Sequence, residues 1–223
     1  MGKYKAVPVN RYQQGREINT DCETSPYNYG LVVSQPENEP FYEAAIDISS
    51  EYGIPLAKLA LCAIERAVSD DEDYWNGNMP EREDRERLET ALETVEFDHQ
   101  AEIEVGLREA VIERARFDSN PMAPSRMESV FACNSLDDVR RYRAEHTQNR
   151  PGTHQECVLE VVKQAASFEG DMHMLDRIDI NSMDTDGAMR IAGMYWEGKH
   201  TANPLIETIL QGRFRFGPPI EDA

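Results

Sequence analysis

A chain of 223 residues, 40% of them apolar, is long enough to bury a core and too regularly patterned to be disordered. Its formal charge of −19 repels phosphate backbones, which excludes broad, nonspecific nucleic-acid binding. No apolar run reaches the roughly 18 residues of a membrane span, and the start lacks a signal-peptide core or a myristoylation pattern, so the expected compartment is the cytoplasm.

Residues 4–11 read as a first strand, with Pro8 confining it to an edge or bulge. Residues 13–15 turn it, and 16–35 are loop-like, although Gly30–Val33 could form a short strand. Pro36 and Pro40 close that segment. Helical spacing then takes over. Phe41, Ala44, Ala45 and Ile48 mark one helix ending near Gly53, and Pro55 opens a second with Leu56, Leu59, Ala60 and Ala63 on one face. Residues 69–78 form a charged, solvated connection. A long helical stretch covers 81–117, with a break near Asp98 and a weak point at Gly106.

Pro121 and Pro124 stop that helix, and mixed elements follow. Residues 128–134 read as a strand, and Ser135 caps a helix running to His146. A loop over 147–154 precedes a strand at 156–164. Residues 168–175 read as a loop with a short extended piece, 186–196 as a helix, and 205–216 as one or two strands around Gly212. Helices early and strands mostly late make one α+β domain over 1–223, with 38–117 a mostly helical, acidic subdomain.

Only five of the 23 basic residues are lysine. Acid-rich, lysine-poor composition suits a salt-adapted source or its virus. An acidic DNA mimic is a further reading, but the charge concentrates between Asp70 and Glu104 instead of forming a phosphate-like double row. Cys62 and Cys133 sit in apolar patterns and read as core residues. The cysteines form no CxxC pair, the histidines are scattered, and Asp171, His173 and Asp176 lack further ligands nearby, so no metal site is expected. Asp171 reads instead as a loop acid orienting an arginine. Arg140, Arg141 and Arg143 read as a solvated helix face.

Several segments resemble, in order and spacing, an uncharacterised family of small bacterial and viral proteins with an ADP-ribosyltransferase-like fold. They are the opening strand ending at Asn10-Arg11, Glu113-x-x-Arg116, and Pro124-Ser125-Arg126 before Val130-Phe131. Then come Cys157–Val162, Gly170-Asp171-Met172, Tyr195-Trp196-x-Gly198 and Glu207-x-x-Leu210. The resemblance implies two small split sheets with a helix-rich insertion after the first strand, around a cleft that takes NAD as substrate. It implies Glu207 as the catalytic carboxylate. Arg11, Ser125, Arg126, Ser129 and Tyr195 are then the NAD-contacting residues: Arg11 and Arg126 for phosphate, Ser125 and Ser129 lining the pocket, Tyr195 stacking on a ring. Arg126 could equally brace its loop by pairing with Glu113. The implied partner is a protein or nucleic-acid acceptor of ADP-ribose, with no membrane involved. Val7-Pro8 stand where many members carry a histidine. That departure favours a second expectation, a non-catalytic interaction protein acting through its acidic helical surface.

Overall fold

A computed structural model describes residues 2–21, 38–68, 80–93, 95, 100–146 and 153–220. The connection at 69–78, the short strand at Gly30–Val33, Cys22 and the break at Asp98 lie outside the described residues. Among the described residues are seven helices and five strands, an α+β arrangement in which every strand pair is antiparallel and all five strands share one sheet, not the two small sheets expected. None of the helices is long and apolar enough to cross a membrane.

The chain divides into two compact units, a helical one (Leu31–Ser119 and Asp176–Met194) and a sheet one (Met1–Gly30, Asn120–Leu175 and Tyr195–Ala223). The first described helix of the helical unit is α1, Glu39–Tyr52, which has a proline in its first turn. It stops at Gly53, whose φ of 62° makes a left-handed cap with its N–H on the Ser49 carbonyl. In α2, Leu56–Val68, Leu56, Leu59, Ala60 and Ala63 are buried at helical spacing. The stretch read as one interrupted helix is two, α3 (Arg82–Leu92) and α4 (Gln100–Ser119). Gly106 does not weaken α4. A Cβ there would overlap the buried Tyr42 ring of α1, so glycine is what lets the two helices approach.

The sheet unit is organised by two long strands, β4 (His154–Asp171) and β5 (Ile206–Pro219). β1, Lys3–Pro8, pairs with the first part of β4. β2 (Glu17–Asn19) and β3 (Val130–Ala132) share the other edge of β5. A lone bridge from Tyr4 to Cys133 links β1 to the residue after β3. The segment read as a loop at 168–175 is therefore the end of β4, running into a one-turn helix, α5 being the preceding Leu136–His146 and α6 this Met172–Leu175. Register shifts at three points let one strand continue where period-2 alternation is lost. Gly212 marks a single continuous strand, not a boundary between two. Its φ is 133°, and a Cβ would collide with the Lys163 carbonyl.

Val7, Ile18, Val130, Cys157, Leu159, Leu210, Phe214 and Phe216 form the core of this unit. Tyr12 packs on it and donates to the Gly217 carbonyl at 2.8 Å. α7, Thr185–Trp196, crosses the boundary of the units, so its last two residues, Tyr195 and Trp196, belong to the sheet unit.

Candidate functional site

The sheet unit places Glu207 as the second residue of β5, 3% exposed. Burying a lone carboxylate is costly, so it needs charged or polar partners. Two meet it at one oxygen. Arg126, on the turn after Pro124, donates Nη1 to Oε1, and the Tyr195 hydroxyl donates to the same oxygen at 2.7 Å. Arg126 also lies 3.2 Å from that hydroxyl, with its guanidinium 4.8 Å from the centre of the Phe131 ring. Of the residues singled out in sequence, Arg126, Tyr195 and Glu207 thus come together. Arg126 pairs with Glu207, and the Glu113 carboxylate holds Arg116 at 2.7 Å.

Tyr195 reaches Glu207 because Gly170 stands directly opposite Glu207 in the β4–β5 register. A Cβ on Gly170 would overlap the Tyr195 ring. That ring is fully buried, 5.4 Å from Phe168 and 4.9 Å from Trp196, which fits it to hold Glu207 by its hydroxyl and leaves no open face for stacking. Burial pushes the Tyr195 hydroxyl well above the ordinary tyrosine range, with the Glu207 charge adding to it. It remains a proton donor at any physiological pH.

The other expected contacts fall elsewhere. Arg11 is not on the first strand, which ends at Pro8. It occupies the exposed turn beyond, its N–H on the Pro8 carbonyl at 2.8 Å. Ser125 is 9% exposed, and its hydroxyl accepts the Met127 N–H at 3.2 Å. Ser129 is wholly buried and donates to the Ser125 carbonyl. Both serines build the turn that carries Arg126.

The cation that β1 does bring to this region is Lys5. Lys3, Lys5 and Val7 share one face of the strand. Lys5 is 9% exposed and donates to the Phe131 carbonyl at 2.7 Å. Burial lowers its ammonium to about 8, and the Glu207 carboxylate is among the charges that oppose the shift. Lys3 bonds Asn134, Thr208 (3.1 Å) and Glu169 (3.3 Å), next to Glu207 along β5. Period-2 reading of a lysine-poor chain could have singled out these two lysines, and a glycine inside a strand is the signal for Gly170. The cysteines beside Lys5 are not nucleophiles. Burial pushes Cys133 up to about 12 and Cys157 to about 11.

Of the arginines of α5, Arg140 is exposed as expected, whereas Arg141 and Arg143 are half-buried. Arg143 and Arg140 reach Glu156 at 2.5 and 3.3 Å, and Arg141 donates to the Pro204 and Asn203 carbonyls. Asp171 orients no arginine. Its carboxylate takes the backbone N–H groups of His173, Thr201 and Leu205, which hold it below the usual carboxylate range against the opposing effect of burial, the largest single influence. Asp176 faces Arg108 at 3.8 Å.

No curated protein matches the chain. A family model does, over residues 10–222, which takes in the Arg126–Tyr195–Glu207 trio, Gly170 and both long strands but not Lys3 or Lys5. The chain belongs to the family described as "Protein of unknown function (DUF2441)".

Proposed function

We propose that this protein is an ADP-ribosyltransferase-like enzyme that takes NAD as substrate and transfers ADP-ribose to a macromolecular acceptor, with Glu207 as the catalytic carboxylate. The observation that carries the reading is Glu207 itself, a buried strand carboxylate held at one oxygen by Arg126 and Tyr195. Cleavage of the bond between the anomeric carbon and nicotinamide sends the electron pair out with the leaving base and builds positive charge on the ribose. A fixed carboxylate in a poorly hydrated site stabilises that charge more than it stabilises the ground state. The acceptor's nucleophilic atom then bonds the anomeric carbon and gives up its proton.

The donor set suits a dinucleotide. Arg126 pairs with Glu207, and Lys5 lies near enough for the Glu207 charge to act on it, two cations in a chain of net charge −19. Arginine pairs bidentately with phosphate oxygens. When Arg126 exchanges Glu207 for the pyrophosphate, the carboxylate is left to the ribose, still aimed by Tyr195. Arg11, Ser125 and Ser129 are not part of this scheme: Arg11 lies past the end of β1, and the two serine hydroxyls are engaged in the turn that carries Arg126.

A second reading, a non-catalytic protein on the same fold, draws on two observations. Glu207 is 3% exposed in an intact ion pair, and Val7, near the place of the family histidine, is wholly buried in the core. NAD turnover and NAD-dependent thermal shift of the purified protein, at low and high salt, separate the two. The enzyme reading expects turnover that Glu207→Gln abolishes while thermal stabilisation by NAD persists. Wild-type protein that neither consumes NAD nor gains stability from it would leave only the interaction reading.

A further inference from the structure

The connection from α7 to β5, residues 197–205, ends one residue before β5 begins. It is tied to the sheet unit by Asp171, by Arg141 and by His173. The Asp171 carboxylate accepts the N–H of Thr201 at 2.7 Å and of Leu205 at 2.9 Å. Arg141 of α5 donates to the carbonyls of Pro204 and Asn203 at 2.9 and 3.1 Å. The His173 ring lies between two oxygens. Its Nδ1 is 2.8 Å from the Asn203 carbonyl, and its Nε2 is 2.7 Å from the Glu145 carboxylate.

Neither oxygen has a proton to give. A carbonyl only accepts. Glu145 is held below the usual carboxylate range, first by the His173 bond and also by Arg141, so it is ionised. A neutral imidazole has a single N–H. It would turn a nitrogen lone pair toward one of the two oxygens at under 3 Å. Only the imidazolium satisfies both. The same contacts raise the ring's proton affinity above the ordinary histidine value, the Glu145 bond foremost. The charged groups facing the ring are Glu145 and Arg141 from α5, Arg141 acting against protonation from 3.5 Å, while Asp171 at the end of β4 accepts the His173 backbone N–H.

We propose that His173 is a protonation-controlled latch: as the imidazolium it clamps the α7–β5 connection to α5 and steadies the start of β5, where Glu207 sits, and on losing its proton it releases Asn203. The sign follows from linkage. Because the folded ring binds its proton more tightly than the unfolded one, the clamp is complete below the unfolded value of about 6.5 and is lost as pH rises through the higher folded value. Asp171 and Arg141 stay engaged, so the loss is a local loosening and not unfolding. The latch does not depend on the NAD reading.

The test pairs nitrogen NMR of the His173 ring with amide exchange of Met172, Thr201 and Leu205 across the pH range, corrected for intrinsic exchange. Met172 belongs there because its N–H bonds the Leu205 carbonyl at 2.9 Å. Both ring nitrogens should still be protonated at pH 6.5. Protection of the three amides should then fall about tenfold as the ring titrates, the scale of one charge-assisted hydrogen bond, while Leu159 in the β4 core stays constant. Glu145→Gln should move the ring titration and the loss of protection together to lower pH. A wild-type ring that deprotonates at or below the ordinary histidine value, or amide protection that stays flat through the ring titration, would overturn the latch. Both readouts come from wild-type protein, so they decide the matter even if the variant folds poorly.

Discussion

Gly170→Ala is the sharpest probe of how the Glu207 site is held. The added methyl would overlap the Tyr195 ring, which is wholly buried between Phe168 and Trp196 and has nowhere to retreat. Overpacking of this kind costs about 1–3 kcal/mol. If the ring swings away, the hydroxyl also leaves the Glu207 carboxylate, and a hydrogen bond to a charged group adds about 1.5–3 kcal/mol. Alanine's lower unfolded-state entropy returns about 0.4–1 kcal/mol. The net expectation is a loss of about 2–5 kcal/mol. Urea unfolding followed by tryptophan fluorescence measures it, since Trp196 lies 4.9 Å from the Tyr195 ring. The decisive comparison is the same substitution in a Tyr195→Ala background, where the overlap is gone and the cost should drop below about 1 kcal/mol. An equal cost in both backgrounds, or a Gly170→Ala protein as stable as wild type, would refute the reasoning.

Two further outcomes follow from the charges around Glu207. Arg126→Met strands a carboxylate that is 4% exposed and should cost about 3–5 kcal/mol, with the double variant Arg126→Met/Glu207→Gln recovering at least half of it in the same urea assay. A double variant no more stable than the single one would show that the pair is not the relevant interaction. Lys5 is protonated more weakly in the fold than in the unfolded chain, about 8 against 10.5. The unfolded chain therefore binds more protons between those values, and stability should rise with pH across that window. Below pH 8 the full penalty of roughly 3 kcal/mol applies. Lys5→Met should flatten the rise when melting temperature is followed from pH 7 to 10.5; parallel curves for the two proteins would contradict it.

Much of the helical unit was legible because local physics decides it. Pro40 and Gly53 bound α1 as their backbone preferences require, and Leu56, Leu59, Ala60 and Ala63 line one face of α2. The sheet unit was less legible, for a physical reason. β4 shows no sustained alternation of buried and exposed residues. Residues 160–165 are exposed on both faces, and with its register shifts β4 runs on to Asp171 under a sequence that reads as loop. Cross-strand pairing to β5 holds that segment extended, and pairing partners far apart in the chain leave no local mark.

The candidate site divides along the same line. Glu207 and Arg126 were legible as chemistry, one acid before an apolar strand and one arginine on a proline-bounded turn. Their pairing was not, because it depends on β5 returning beside β3 after a long excursion. Nor was the burial that turns Tyr195 from a stacking platform into a hydrogen-bond donor, which depends on a missing side chain at Gly170. Arg11 misleads for the opposite reason. It lies close in sequence to the right strand but three residues past its end, whereas Lys5, within β1 and on its inward face, is carried to Phe131 and the neighbourhood of Glu207. Residue type proposes the chemistry of a site of this kind, and strand parity and register determine which residues take part in it.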